Sequence, residues 1–354
     1  MVTWPFDLTP ASNLIGVFAE SGLLLAGFPV LLLGLVFALT FTLVGAGYLP
    51  SDGDVVGSSL RMMWGAAPLA LGVTAVWFAI AWFANTAIID AVTGARPVTR
   101  KDAPELYNLL ENLAVSRGLT TPSLHIIDTP ALNAFASGVH EGQYAVTVTT
   151  GLLATLDRDE LEAVLAHELT HIISRDVRTM VIASVFAGVI TLAAQIVFRA
   201  IMWGGIGEGR RDSEGKRGGA GIFIVVALAA AAIGYVLAIV IRMALSRTRE
   251  FVADAGAVDL TKNPDAMISA LQKISGQSAL EAPESVRGMF IDNGPSTAAF
   301  GLFDTHPPIE KRIAALVRYA GGRVSAPSIS TAETSGPWGS NPASASEDAS
   351  GPWG

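Results

Sequence analysis

The chain of 354 residues has no cysteine. That excludes disulfides and every thiolate metal site, so any metal must be held by His, Asp or Glu. Charge is scarce as well. Only 15% of residues are charged, against about 25% in an ordinary soluble domain. A basic stripe with interleaved aromatics is missing, the net charge is −8 and the pI is near 5.2. These exclude nucleic acid as a main partner. The flank before the first apolar stretch holds Asp7 and Glu20 but no Lys or Arg. A cleaved signal peptide has a basic n-region, so this stretch reads as a retained span.

What is present is apolar. Hydrophobic residues make up 51% of the chain and the mean hydropathy is +0.48. Four windows hold no charged residue: 21–51, 62–89, 179–198 and 218–241. A bilayer-spanning helix needs roughly 20 apolar residues, and uncharged core helices of soluble proteins are shorter. The sequence therefore predicts an α-helical membrane protein with four transmembrane helices. Gly27, Pro29, Gly34 and Pro68 inside the windows are tolerable in lipid.

Between and after the spans lie polar stretches. The organisation reads as an N-terminal segment with the first two spans (1–92), a first polar part (93–178), the second pair of spans (179–246), a second polar part (247–325) and a tail (326–354). The two polar parts are separated by two spans, so they share one side of the membrane and fold together. Seventeen of the 23 Lys and Arg lie in the polar stretches 90–178 and 242–323, which favours the cytoplasmic side of a multi-pass cell-membrane protein. The tail is rich in Ser, Ala, Gly and Pro and repeats Ser335-Gly-Pro-Trp-Gly339 as Ser350-Gly-Pro-Trp-Gly354. That composition buries no core and predicts disorder.

In the first polar part, Leu106, Leu109, Leu110 and Leu113 give a helical period over 102–117. Ser123–Ile127 reads as a strand, and the alternation of Tyr144, Val146 and Val148 as another. Asn133–Gly138 between them reads as a turn or an edge. Asp157 followed by Glu160 marks a helix start. His125 reads as packed within its strand, and His140 as a hairpin-loop residue.

The helix that starts at Asp157 contains His167-Glu168-Leu169-Thr170-His171. Residues i and i+4 share one helix face, about 6 Å apart. Two imidazoles placed so bind one metal ion, with Glu168 beside the first. Zn²⁺ lowers the pKa of a bound water to about 7, and Glu168 is placed to take its proton and pass it to a leaving amine. With 5 His and 15 Glu in the chain, chance yields about 0.003 such matches. The third ligand must be His or carboxylate. Glu250, just beyond the fourth span, is the candidate. Asp254 lies one turn later on the same face, where a carboxylate orients a ligand histidine. The alternative for Glu250 is an exposed helix residue paired with Arg247 or Arg249.

His167-Glu-x-x-His171, Glu250-x-x-x-Asp254 and the flanking hairpins resemble the HtpX family of membrane metalloproteases, relatives of the CAAX prenyl proteases. Asn133–Gly138, Val148–Leu153, Ser174-Arg-Asp176, Asn263–Ala266 and Thr305-His-Pro-Pro308 fit as well, and the match spans about 15–320. The resemblance implies a mainly α, α+β zincin-like metalloprotease domain. It implies one Zn²⁺ per chain on His167, His171 and Glu250, with Glu168 as base. It implies that the segment near Asn133 binds substrate backbone as an added strand, and that His306 and Arg312 steady an oxyanion. The expected path of the substrate runs along the edge formed by Tyr144, Val146 and Val148. Expected partners are polypeptides, unfolded or membrane-embedded, and the bilayer.

Three other readings compete. An intramembrane protease is disfavoured by Asp159, Glu160, Glu162, Arg175, Asp176 and Arg178 around the motif, since dense charge is costly in lipid. Asn263-Pro-Asp265 opens a polar helix there, with Asp265 a helix-start residue. A metal-binding scaffold without proteolysis has no use for Glu168. A prenyl-peptide processing enzyme needs a lipid-sized chamber and more spans.

Overall fold

The computed structural model describes residues 29–30, 32–45, 49–181, 195, 249–275, 277–278, 290–291 and 306–324. The chain enters through a helical hairpin, α1 (Leu32–Gly45) and α2 (Val55–Thr93). The Thr40 hydroxyl ties the two by donating to the Ser59 carbonyl at 3.2 Å. Helix α2 starts where Asp54 Oδ1 accepts the Gly57 N–H at 3.0 Å. It stops at Gly94, whose φ of 72° makes the left-handed cap that favours glycine.

At 1.5 Å per residue, α2 is about 58 Å long. Its Val55–Ile80 stretch is long and apolar enough to cross a bilayer, and only 11% of its most apolar window is buried. Trp64, Leu69, Val76 and Trp77 face outward. A contiguous apolar surface of this kind is one that lipid covers. The first expected span coincides in part with α1. The third and fourth fall almost wholly outside the described residues, as does the tail.

The second expected span (62–89) is not an exposed apolar stretch to its end. Beyond Ile80, α2 continues and docks on the catalytic unit. Asn85 Oδ1 accepts the Gly138 N–H at 3.1 Å, and the Thr86 hydroxyl donates to the Gln143 carbonyl at 2.9 Å. The Gln143 amide donates to the Phe83 carbonyl at 2.6 Å, and Asp90 meets His125 Nδ1 at 2.9 Å. One continuous helix thus joins the apolar stretch to the catalytic unit without a linker.

Four strands form one sheet: β1 (Arg96–Val98), β2 (Ser123–Ile127), β3 (Ala134–Ser137) and β4 (Ala145–Thr149), in the order β1-β2-β4-β3. The central pair β2 and β4 is parallel and the outer pairs are antiparallel. The strand read from Tyr144 to Thr149 is therefore present, but it is not an edge. It is paired on both sides, all five residues of β4 are buried, and Val146 and Val148 are wholly enclosed. Tyr144 precedes it and is half-buried. The expectation that Tyr144, Val146 and Val148 line a substrate edge is corrected on this point. Alternation did not mark a half-exposed strand, because helices and neighbouring strands enclose β4 on every side. The edge is β3, the segment that the sequence left as a turn or an edge. Its hairpin turn needs Gly138, whose φ is 101° and where a Cβ would lie 2.4 Å from the Gln143 carbonyl oxygen.

Helix α3 (Pro104–Ser116) buries the leucines that predicted it, with Pro104 pre-set at its first turn. After the short α4 (Thr150–Thr155) comes α5 (Arg158–Ile173), the central helix. Its capping box is complete: Asp157 accepts the Glu160 N–H at 2.9 Å, and Glu160 accepts the Asp157 N–H at 2.8 Å. Most of α5 is buried, between β3 and β4, α3 and the C-terminal helices. Those are α6, whose described part is 249–261, α7 (Pro264–Ile274) and α8 (Ile309–Ala320). Glu160 also binds Lys273 at 2.7 Å and the Ser269 hydroxyl at 2.6 Å, locking α7 to the start of α5. Asn263 caps α7, with Asp265 in its first turn as expected.

Candidate metal centre

Helix α5 carries His167, Glu168 and His171 into the interior, and α6 brings Glu250 to meet them. The candidate ligand atoms follow from position: among the described residues, one atom from each of His167, His171 and Glu250 lies within 4.8 Å of the other two. The arrangement is nearly symmetric. Glu250 Oε2 is 3.5 Å from His167 Nε2, and Glu250 Oε1 is 3.5 Å from His171 Nε2. The two Nε2 atoms are 3.3 Å apart, with the rings edge to face at 88°. Glu250 is buried and central, which settles it against an exposed helix residue.

Each imidazole has its other nitrogen on a carboxylate. His167 Nδ1 is 3.0 Å from Asp254 Oδ1, as its place on the α6 face suggested. His171 Nδ1 is 3.1 Å from Asp176 Oδ2. This leaves both Nε2 atoms directed at Glu250. Sequence reasoning missed the role of Asp176. Its only signal there was the Ser174-Arg-Asp176 segment that fitted the resemblance.

The surroundings decide the charges. Burial alone would lower the His167 pKa, but hydrogen bonds with Asp254 and Glu250 outweigh it and raise the value to about 9. Burial would raise Glu250, yet the charges of His306 and Arg312, with hydrogen bonds from His167 and His306, hold it well below the usual range. Asp254 is likewise held down, burial being outweighed by Arg312 and His167. So the site stabilises anionic carboxylates and favours positive charge at the His167 imidazole. A divalent cation supplies that charge. The donor set of two imidazoles and a carboxylate, without sulfur, suits zinc in a catalytic site with an open position.

Glu168 differs from its neighbours. It is buried, and burial raises its pKa above the ordinary 4.5, partly offset by the two histidines. Its Oε1 has no hydrogen-bond partner among the described residues. A buried acceptor left bare beside two metal-type imidazoles is poised for a proton.

Arg312 is wholly buried. Its Nε and Nη2 donate to Asp254 at 2.9 and 2.6 Å, and Nη1 donates to the Ile291 carbonyl at 3.0 Å. Nη1 also lies 3.1 Å from Glu250 Oε2. The guanidinium thus engages the carboxylates of α6 and the Ile291 carbonyl, with Nη2 3.4 Å from the His167 ring nitrogens. His306 stands beside the candidate ligand Glu250, with Nδ1 3.2 Å from Glu250 Oε1. Asn133 is wholly buried, and its side chain is turned into the protein. Its Nδ2 donates to the Ser278 carbonyl at 2.8 Å, and its Oδ1 accepts the Ala134 and Ile291 N–H groups at 3.0 and 3.2 Å. Asn133 fastens the start of β3, and its side chain is not offered to a substrate.

Helices α5 and α6 approach closely at one point. A Cβ on Gly256 would lie 2.4 Å from Thr170 Cγ2 and 2.7 Å from its Oγ1. Thr170 is between the two histidines. Gly256→Val is expected to wedge Glu250 and Asp254 away from the imidazoles. Overpacking of this kind costs about 1–3 kcal/mol. Thermal unfolding with and without zinc checks it: the melting temperature falls, and the stabilisation by zinc shrinks.

Two imidazoles one helical turn apart, a glutamate from a later helix and a buried glutamate beside the first imidazole define the centre of a metallopeptidase. Comparison with known proteins agrees. The model of "Peptidase family M48" matches residues 100–320. A curated "Protease HtpX homolog" from Bacteroides fragilis is 43% identical over 310 residues, covering 85% of this chain and 95% of the relative. Proteins of the same description from Ligilactobacillus salivarius and Trichormus variabilis are 41% and 38% identical, covering 69% and 80% of this chain and 83% and 92% of theirs. A crystal structure of S. mikatae Ste24p aligns with a TM-score of 0.43 at 19% identity, over 79% of this chain and 61% of that one. The chain belongs to peptidase family M48, among its HtpX-type proteases.

Proposed function

We propose that this chain is a zinc endopeptidase anchored in the cell membrane by four helices, with its catalytic unit on the cytoplasmic side, cleaving unfolded or membrane-embedded polypeptides. The observation that carries the reading is the convergence of His167, His171 and Glu250 on one point, with Glu168 bare beside them.

His167, His171 and Glu250 would hold zinc, which would supply Lewis acidity, acidifying water and polarising a carbonyl. Glu168 takes the proton of the attacking water on Oε1 and returns it to the amine that leaves. Its raised pKa suits both halves of that exchange. Asp254 and Asp176 keep the imidazoles turned toward the ion. His306 is the group we assign to the developing oxyanion. Its Nδ1 faces Glu250 Oε1, and its Nε2 has no hydrogen-bond partner among the described residues.

The substrate backbone adds to β3, the sheet edge beside α5. On the outer side of β3 the Ile291 N–H already meets the Ala134 carbonyl at 3.0 Å. Ala136, two residues on and therefore on the same side, is the position left for substrate. The cytoplasmic placement rests on the Lys and Arg of the two polar parts, and the membrane anchorage on the exposed apolar stretch of α2.

The test is cleavage of a permanently unfolded reporter and of its folded counterpart by the detergent-purified full chain. The unfolded reporter is expected to be cut and the folded one spared. A chelator should abolish cleavage and stoichiometric zinc restore it. Cleavage that persists in full after metal removal would contradict the proposal.

A further inference from the structure

We propose that Asp176 is a positioning residue for His171 and that Arg249 fixes it in place, so that each metal-binding imidazole has its own carboxylate and its own arginine. This rests on the zinc reading above. One set is His167, Asp254 and Arg312. The other is His171, Asp176 and Arg249: Asp176 Oδ2 is 3.1 Å from His171 Nδ1, and Asp176 Oδ1 is 3.1 Å from Arg249 Nη1. The Asp176 side chain is 3% exposed and that of Arg249 10%, so the pair is nearly dry.

The backbone is bent to make this contact. In an unbroken helix, a residue five positions after His171 would lie about 140° round the axis, off the histidine's face. Helix α5 ends at Ile173, Arg175 takes a left-handed φ of 58°, and a short helical run resumes at 176. Left-handed backbone is disfavoured for a side chain such as that of arginine and persists where the surroundings enforce it, commonly at functional sites. Here it turns the Asp176 carboxylate back under His171.

Both sets also join the two polar parts of the sequence. Arg249 immediately precedes the ligand Glu250, so the Asp176–Arg249 pair ties α6 to the end of α5 at the ligands themselves. In the other set the joining contact is His167–Asp254, and Arg312 braces Asp254 and Glu250 from α8. An imidazole whose Nδ1–H is held by a carboxylate has a fixed tautomer and a more basic Nε2, and loss of such a support lowers metal affinity about 10- to 100-fold.

The experiment uses the full chain in detergent and measures the zinc dissociation constant by chelator competition. It also records the visible absorption of the Co²⁺-substituted protein. Asp176→Ala leaves Arg249 without this partner, a cost to folding, so Asp176→Ala/Arg249→Met, which removes both charges, is measured beside it. The expected result is zinc binding about 10- to 100-fold weaker in the folded double variant, with a shifted cobalt spectrum. A residue that only stabilised the fold would lower the melting temperature and leave the spectrum of the folded protein unchanged. Wild-type affinity and spectrum in the double variant would overturn the inference and leave the zinc reading intact. A wild type that binds no zinc would overturn both.

Discussion

Glu168→Gln is expected to keep a full complement of zinc and to lose turnover by about 10²- to 10⁴-fold, the usual worth of a positioned general base. Glutamine preserves the volume and the acceptor oxygen, so α5 and its imidazoles have no reason to move. What it cannot do is take a proton. The Glu168 carboxylate is buried, burial raises its pKa, and its Oε1 is bare. Neutralising it also removes a desolvation cost, so the variant should be no less stable than wild type. The signature is a fall in kcat with KM nearly constant and zinc near one per chain. A variant that still turned over within a fewfold of wild type would remove Glu168 from the chemistry.

Glu250→Ala should act on the metal itself. Three ligands share a binding free energy of the order of 10–16 kcal/mol for zinc sites, so one ligand is worth about 3–5 kcal/mol, or about 10²- to 10⁴-fold in affinity. The substitution also takes an anionic partner from two buried groups, His306 at 3.2 Å and Arg312 at 3.1 Å. Loss of one member of a buried ion pair is itself costly, about 3–5 kcal/mol, though Arg312 keeps Asp254. Zinc titration against a chelator and thermal unfolding of the metal-free protein separate the two effects. Glu250→Gln serves as the milder control, keeping the shape and losing the charge. Full zinc occupancy in Glu250→Ala would end its assignment as ligand.

The chemistry of this site is largely local in sequence. His167, Glu168 and His171 sit on consecutive turns, and the capping box at Asp157 and Glu160 announced their helix, so α5 was legible from pattern alone. Glu250 was reachable because the absence of cysteine narrowed the donors and because one residue stood just past an apolar window. Asp254 followed from helical spacing. What pattern did not reach depends on how distant segments pair. The sheet order places β4 inside and β3 outside, and Tyr144, Val146 and Val148 alternate as an edge strand would. Asp176 is hidden by the left-handed turn at Arg175, since uninterrupted helical spacing points it away from His171. Arg312 carried a charge that sequence could assign to an oxyanion, and its contacts with Asp254 and the Ile291 carbonyl depend on the fold.

The same contrast appears in α2. Charge-free windows locate apolar stretches, but they do not show that the end of the second window, beyond Ile80, docks on the sheet. Asn85, Thr86 and Asp90 are unremarkable in sequence. Their partners, Gly138, Gln143 and His125, lie 35 or more residues away, and the hydrogen bonds fix the β3–β4 hairpin against the membrane helix.

The measurement that bears most directly on the central claim is X-ray absorption at the zinc edge of the purified full chain, with metal content determined on the same sample. The account predicts one zinc per chain with two imidazoles, oxygen donors and no sulfur, and the loss of imidazole scattering in His171→Ala. A chain that takes up no zinc, or one whose zinc shows no imidazole ligands, would contradict it.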